Sequence, residues 1–253
     1  MLATERQNQI LALIEERGTV RTVDLAQEFA VTDETIRRDL QSLADERRIA
    51  RIHGGATSLS GRPKLRSFTE RRIRQVEAKQ AIARAALERI EPGRTYAFDS
   101  STTAFELIDI LPDLPFRVVT NAYAVLDRLV GTENIELVST GGRYHPKTQT
   151  FVGGDSIDTL KRHNVQTAFI SCIGLDLRRG ASEGFEEQVA FKERLVRYAE
   201  EVILLVDSTK LGERSEYFFA DIEAFRTVIT DAGADPVFVD SLRQRGIEVV
   251  VAV

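Results

Sequence analysis

From Thr95 to Val253, short apolar segments with the look of strands alternate with segments of helical spacing, and this alternation constrains the chain most. TYAFD (95–99), FRVVT (116–120), IELVST (135–140), TAFISCIG (167–174), EVILLVD (201–207), TVITD (227–231) and IEVVVAV (247–253) read as buried strands. TTAFELIDIL (102–111) and AYAVLDRLV (122–130) read as helices between the first of them. Repeated strand–turn–helix units predict an α/β domain with a mainly parallel sheet. Ligands of such domains bind beyond the carboxyl ends of the strands.

Upstream, the periodicity is different. Ile10, Leu11, Leu13 and Ile14 sit at helical spacing, and Gly18 ends that helix. Thr22 is expected to cap a second helix that turns Val23, Leu25, Ala26 and Phe29 inward. Thr32 caps a third, in which Ile36, Leu40 and Leu43 form one apolar stripe and Glu34, Arg37, Arg38 and Gln41 face away. RRIARIHGGA (47–56) then alternates as a strand and turns at Gly54-Gly55. Three helices and a two-stranded hairpin predict a winged helix-turn-helix whose third helix enters a DNA major groove. Arg37 and Arg38 suit phosphates or the guanine edge, and Arg51 and His53 suit the backbone or minor groove under the wing. Thr32, Thr35, Gln41 and Gly54 complete the candidate DNA-binding set. A solvated helix and an ordinary hairpin are the plain alternative to this reading.

The overall charge of −5 argues weakly against nucleic acid, but its distribution matters more. Residues 61–80 hold 7 Lys/Arg against 2 Asp/Glu, between two acidic parts. Residues 58–68 carry Ser, Gly and Pro without periodicity and read as a linker. Residues 69–90 read as one long basic helix capped by Thr69. Arg71, Arg72 and Arg74 read there as solubilising charge, or as a basic joint between domains. The expected division is thus 1–57 for DNA binding, 58–68 as linker and 69–253 as an effector-binding domain.

Four polar segments fall at strand ends: DSSTT (99–103), Thr120-Asn121, Gly141-Gly142-Arg143 and DSTK (207–210). Hydroxyls and free amides opening a helix suit a phosphate, Arg143 an anion, and Lys210 supplies a compact charge. Lys192, on the preceding helix, joins them. Each segment alone reads as an ordinary cap or turn; together they predict a phosphorylated or polyhydroxylated ligand. Cys172, in an apolar strand, reads as a small core residue. His145, Asp176 and Arg178 read as loop residues or pocket rim. One cysteine excludes an intrachain disulfide, and no Cys/His cluster has zinc spacing. No metal or cofactor is expected. No apolar run approaches the roughly 20 residues of a membrane span, and no signal peptide is evident, so a cytoplasmic protein is expected.

VDLAQEFAVTDETIRRDLQSL and RIHGGA closely resemble the DeoR family of bacterial transcriptional regulators. AFDSSTTAFEL, VVTNAYAV, STGGRYHPKTQTFVG, AFISCIGLD and ILLVDSTKLG resemble that family's effector domain, which is similar in fold to ribose-phosphate isomerase. The resemblance covers nearly the whole chain. It implies a repressor of carbohydrate uptake or catabolism genes that binds operator DNA and senses a sugar phosphate; a duplex presents two half-sites, so a dimer or tetramer is expected. It implies that Asp99, Ser101, Thr102, Thr103, Asn121, Gly141, Gly142, Lys192 and Lys210 line the pocket. Four positions depart from the family pattern: Thr32 stands for a usual Ser, Arg48 and Ser100 for a usual Gly, and Gln188 for a carboxylate. The rival readings are an activator, and a sugar-phosphate isomerase with Glu183, Glu186 or Glu187 as base. The regulator reading makes no enzyme of the chain.

Overall fold

The helical spacing of Ile10, Leu11 and Ile14 becomes α1 (Ala3–Arg17), in a computed structural model that describes residues 2–59 and 66–253. Gly18 ends α1 with φ +74°, its N–H bonding Ile14 O at 2.9 Å. The chain then runs through β1 (Thr19–Arg21), α2 (Thr22–Glu28), α3 (Asp33–Asp45), β2 (Ile49–Ile52) and β3 (Gly55–Ser58). Ile10, Ile14, Leu25, Ile36, Leu40, Leu43, Ile49 and Ala56 share one core. Each fully buried Ile or Leu there contributes about 1.5–3 kcal/mol by leaving water.

Three local expectations are corrected. The wing has three strands, in the order β1-β3-β2, with Val20 opposite Ala56 and Arg51 opposite Ala56 on the other side. Strand β1 has three residues, too few to show a period. Its pairing demands a glycine, because a Cβ on Gly55 would stand 2.0 Å from Val20 O. Thr22 caps nothing with its side chain; its N–H bonds Gly54 O at 2.8 Å and ties the wing turn to α2. Val23 faces outward at 48 % exposure. It precedes Leu25 by two residues, about 200° around a helix, so the two cannot share a buried face.

The contacts divide the chain into two units between residues 65 and 66. Positions 60–65 of the expected linker lie outside the described residues, while Ser58 ends β3 and Phe68 opens the next helix. The expected long helix is two, α4 (Phe68–Arg72) and α5 (Val76–Leu87). Ser67, not Thr69, caps α4, in a capping box with Glu70. Gln75 sits in the left-handed region at φ +49° and breaks the run. The break leaves Arg71 C=O without the N–H of residue 75, and Lys79 Nζ reaches it at 2.6 Å.

There follow β4 (Thr95–Phe98), α6 (Thr102–Asp109), β5 (Phe116–Thr120), α7 (Tyr123–Leu129), β6 (Ile135–Ser139), β7 (Arg143–His145), β8 (Thr150–Val152) and α8 (Gly154–Leu160). Then come β9 (Thr167–Ile170), β10 (Gly174–Asp176), β11 (Gly180–Glu183), α9 (Glu186–Tyr198), β12 (Glu201–Leu205), β13 (Tyr217–Ala220), β14 (Thr227–Asp231), α10 (Pro236–Gln244) and β15 (Glu248–Ala252). Seven strands form one parallel sheet in the order β15-β14-β12-β9-β4-β5-β6. Alternate residues feed two cores. Ala97, Ala168, Ile170, Val202 and Leu204 face one side; Tyr96, Phe98, Phe169, Ile203 and Leu205 face the other. Burial on both faces is why these strands read as continuous apolar runs. A small antiparallel sheet, β10-β11-β13, and the hairpin β7-β8 complete the unit.

Candidate functional site

In the N-terminal unit the third helix is built to hold one face down and present the other. Thr32 caps α3, accepting Thr35 N at 3.3 Å, and the two hydroxyls lie 2.9 Å apart. Ile36, Leu40 and Leu43 are buried, and Arg37 projects with no side-chain partner among the described residues. Arg38 is also exposed but pairs with Glu34 at 3.2 Å, and Gln41 donates to Asp45 at 2.8 Å. An exposed pair of this kind is worth about 0–1 kcal/mol, so Arg38 gives up Glu34 at little cost. Arg51 and His53 are exposed on the wing, and Gly54 turns it at φ +79°.

Asp39 was missed by the sequence reading. It is buried, accepting from Arg6 Nε at 2.5 Å and Gln7 Nε2 at 3.2 Å. It locks α1 to α3. The signal was its spacing: three residues after Ile36 and four before Leu43, it shares their stripe.

In the C-terminal unit the candidate ligand residues gather where β4, β9 and β12 end. Asp99 accepts Ser101 N at 3.0 Å and Ser171 N at 3.1 Å, and Lys192 Nζ lies 3.0 Å from it. Lys192 also binds Glu183 and donates to Ser171 O at 2.6 Å. All three of its N–H groups are therefore spent. Burial alone would lower the Lys192 pKa, but Asp99 and Glu183 outweigh it and raise it above the ordinary lysine value. Sequence reasoning placed Lys192 among the ligand contacts; the geometry makes it the centre of an ion-paired triad with Asp99 and Glu183.

Lys210 pairs with Asp207 at 3.0 Å. Burial pushes the Asp207 carboxyl up, yet Lys210, the Thr209 hydroxyl and Lys79 outweigh burial and hold it below the ordinary value. Ser101 caps α6, accepting Ala104 N at 3.2 Å. Thr102 and Thr103 follow, both buried, and Thr103 Oγ1 has no hydrogen-bond partner. Asn121 donates to Phe151 O at 3.2 Å while its Oδ1 is sealed and unpartnered.

Gly141, Gly142 and Arg143 follow β6, two strands from β4 and thus about 10 Å along the sheet. Both glycines take positive φ, and a Cβ on Gly142 would stand 2.7 Å from Val152 O. Arg143 is exposed and pairs with Glu187 at 2.9 Å. The structure thus brings Asp99, Ser101, Thr102, Thr103, Lys192 and Lys210 together and sets the Gly-Gly-Arg segment apart. Asp176 fixes its own loop, accepting Arg178 N, Arg179 N and Arg214 Nε at 2.8–2.9 Å. His145 packs on Phe185 with ring centroids 4.5 Å apart and meets Thr148 Oγ1 at 2.8 Å.

Two departures from the family pattern meet here. Gln188 Nε2 donates to Ser100 Oγ at 2.9 Å and approaches Thr150 Oγ1 at 3.3 Å. Two further cations reach the site unforeseen: an Arg71 terminal nitrogen lies 3.4 Å from Ser100 O, and Lys79 bonds the Arg71 carbonyl. Two surface clefts lie elsewhere, one beside Asp113 and Arg128 and one beside Ile73 and Val253. Hydrogen-bonding capacity, not cleft size, marks the site. Among the described residues no group of three or more His, Cys, Asp or Glu is placed to hold a metal ion, and no helix is long and apolar enough to cross a membrane.

Residues 6–62 match the DeoR-like helix-turn-helix domain, and residues 74–232 match the DeoR C terminal sensor domain. The chain is 36 % identical over 249 residues to the HTH-type transcriptional regulator YulB of Bacillus subtilis (strain 168), covering 98 % of this chain and 96 % of that one. It is 31 % identical to the L-fucose operon activator of Haemophilus influenzae, over 89 % and 91 % of the two chains. It is 30 % identical to the glycerol-3-phosphate regulon repressor of Escherichia coli (strain K12), over 92 % of each. Among solved structures, ribose 5-phosphate isomerase A of Methanocaldococcus jannaschii superposes with a TM-score of 0.41 at 17 % identity, over 54 % of each chain.

Proposed function

The chain belongs to the DeoR family of transcriptional regulators, and from that membership we propose that it represses carbohydrate uptake or catabolism genes until a phosphorylated metabolite occupies its sensor unit. It is a DNA-binding regulator rather than an enzyme. The observation that carries the DNA half is α3: a buried stripe holds it down while Arg37 projects without a partner among the described residues. Arg37 is assigned to a base edge or phosphate, with Thr32, Thr35, Arg38 and Gln41 flanking it and Arg51, His53 and Gly54 on the wing. Operators of this class present two half-sites, so a dimer or tetramer acting in the cytoplasm is the working assembly.

The sensor half rests on buried polar atoms left without partners beside Asp99, on Thr103 and Asn121. Native interiors pair such groups, so their solitude supports a ligand there. A relative named for the glycerol-3-phosphate regulon supports a phosphate ester as ligand class. One relative is a repressor and another an activator, so reporter expression in cells with and without the gene decides the direction.

The test is fluorescence anisotropy of the full chain on the duplex upstream of its own gene, titrated with sugar phosphates and sn-glycerol 3-phosphate. Arg37→Ala is expected to weaken DNA binding and flatten its salt dependence while ligand binding persists. Equal operator affinity in Arg37→Ala and Arg38→Ala and in the parent would remove the assignment of α3. Tight DNA binding that no phosphate ester alters would remove the sensor assignment.

A further inference from the structure

We propose that Gln188 is the specificity-determining residue of the sensor site: it fixes the Ser100 hydroxyl as a donor and so selects a ligand that sets a carbonyl oxygen, not a hydroxyl, against the turn after β4. This rests on the reading of the unit as a sensor of phosphorylated metabolites and narrows their class to phosphate esters of hydroxy-carbonyl compounds.

Each polar side chain has a fixed number of hydrogens, and counting them sets the direction of every bond here. Thr150 is fully buried, and its single hydroxyl hydrogen goes to Thr148 O at 3.0 Å. A group facing Thr150 Oγ1 must therefore donate to it. The Gln188 side chain does so at 3.3 Å, which turns its Nε2, not its Oε1, toward Thr150. The same nitrogen gives its second hydrogen to Ser100 Oγ at 2.9 Å. Ser100 Oγ thus accepts from Gln188, and its own hydrogen goes to no described residue. Ser100 is 3 % exposed and Gln188 5 %, so water has little access to either. A buried hydroxyl hydrogen without an acceptor calls for one from the ligand.

Asn121 supplies the opposite polarity. Its Nδ2 faces Phe151 O at 3.2 Å, and a carbonyl only accepts, so this amide is oriented too. Asn121 Oδ1 is left sealed and without a partner, an acceptor that lacks a donor. Thr150 and Phe151 are consecutive in β8, so one strand orients both amides. The site therefore offers a donor at Ser100 and an acceptor at Asn121. A carbonyl with a hydroxyl on the neighbouring carbon carries the complementary acceptor and donor. A phosphate oxygen would suit Ser100 but would meet Asn121 Oδ1 as one acceptor against another, which places the ester phosphate away from this pair. A carboxylate at position 188 would reverse the polarity. It has no hydrogen to give, so Ser100 would donate to it and keep only lone pairs for the ligand.

The test is isothermal titration calorimetry on the full-length protein with two pairs of phosphate esters. Dihydroxyacetone phosphate and sn-glycerol 3-phosphate differ only in a ketone or a hydroxyl at the middle carbon. D-xylulose 5-phosphate and the alditol phosphates made by its reduction repeat the comparison on a longer chain. In the pair that binds more tightly, the ketone is expected to lead by about tenfold. Gln188→Glu should erase or invert that lead; both members carry the same charge, so repulsion by the new carboxylate cancels in the ratio. Ser100→Ala should also erase it, and adding Gln188→Glu to Ser100→Ala should then leave the ratio unmoved. Equal affinity for ketone and alcohol in the parent overturns the proposal. So does a lead that Gln188→Glu leaves intact, or a ratio that Gln188→Glu moves as far with Ser100→Ala present as without it. The parent comparison decides even where a variant folds poorly. If none of these esters binds, the sensor reading falls together with this one; if they bind without preference, the sensor reading stands and only the role of Gln188 is wrong.

Discussion

Replacing Lys192 by Met tests whether that lysine is a ligand contact or the keystone of the sheet's carboxyl end. The substitution keeps an apolar stem of similar reach and removes the one ammonium held between Asp99 and Glu183. Those carboxylates are 1 % and 5 % exposed, so neither recovers its lost partner from water. Removing one side of a buried ion pair costs about 3–5 kcal/mol. For a unit of this size each kcal/mol moves the midpoint by about 2–4 °C, giving a fall on the order of 6–20 °C. The pH dependence has a definite sign. In the parent, the raised pKa of Lys192 keeps its contribution intact until pH climbs above the ordinary lysine value, and none of it is lost near neutrality. Thermal melts by circular dichroism, followed through the transition of the C-terminal unit, read both effects. An unchanged midpoint from pH 5 to pH 8 together with lost ligand response would refute the keystone reasoning and return Lys192 to the ligand.

Gly55→Ala should abolish operator binding while leaving the sensor unit's melt unchanged, because its Cβ would stand 2.0 Å from Val20 O. Gly54→Ala meets nothing within 4 Å and is strained only by φ +79°, so a loss of roughly 1 kcal/mol is expected; equal damage in the two variants would count against the packing argument. Burial above all pushes the Cys172 thiol up to about 12, so Ellman's reagent at pH 8 should find no thiol until denaturant is added; a rapid native reaction would show that strand β9's end is open. Ser100→Gly and Gln188→Glu should couple in a double-mutant cycle of stability by about 0.5–1.5 kcal/mol, since their side chains share a 2.9 Å hydrogen bond; additive effects would show the bond to be idle.

The five inner strands of the parallel sheet were legible because burial on both faces leaves an apolar run, as in Val202 to Leu205, and the edge strands β6 and β15 by their apolar, β-branched composition. The smaller strands were not. β10 and β11 depend on backbone approach at glycines: a Cβ on Gly174 would stand 2.4 Å from Glu213 O, and one on Gly180 2.1 Å from Ala220 O. Such approach is a property of two distant segments and leaves no local period. The break before α5 was equally silent, for nothing in Ile73-Arg74-Gln75 announces a left-handed residue. The turn after β4 was legible because its acceptors and hydroxyls are contiguous in sequence. Arg71 meets its Ser100 carbonyl from α4, and Glu183 holds from β11 the lysine that pairs with Asp99; only the topology assembles them. Ser100 and Gln188 stood as separate departures, yet they touch, so they amount to one local change in which a hydroxyl and an amide satisfy each other.

Charge shows where counting along the chain stops being informative. Residues 61–80 carry a net +5 and read as one basic joint. Within it Arg72 is exposed and pairs with Asp109 at 3.2 Å, whereas Lys79 is buried beside the Arg71 carbonyl. One segment thus supplies both solvent-facing charge and charge turned into the sensor site. The three lysines at that site make the point sharper. Lys192 touches two carboxylates, Lys210 touches one, and Lys79 touches none. Burial acts on both Lys192 and Lys79, but it wins only at Lys79, where no carboxylate in contact opposes it. A lysine's place in a motif or a charge run therefore does not fix its electrostatics; the carboxylates that the fold brings to it do.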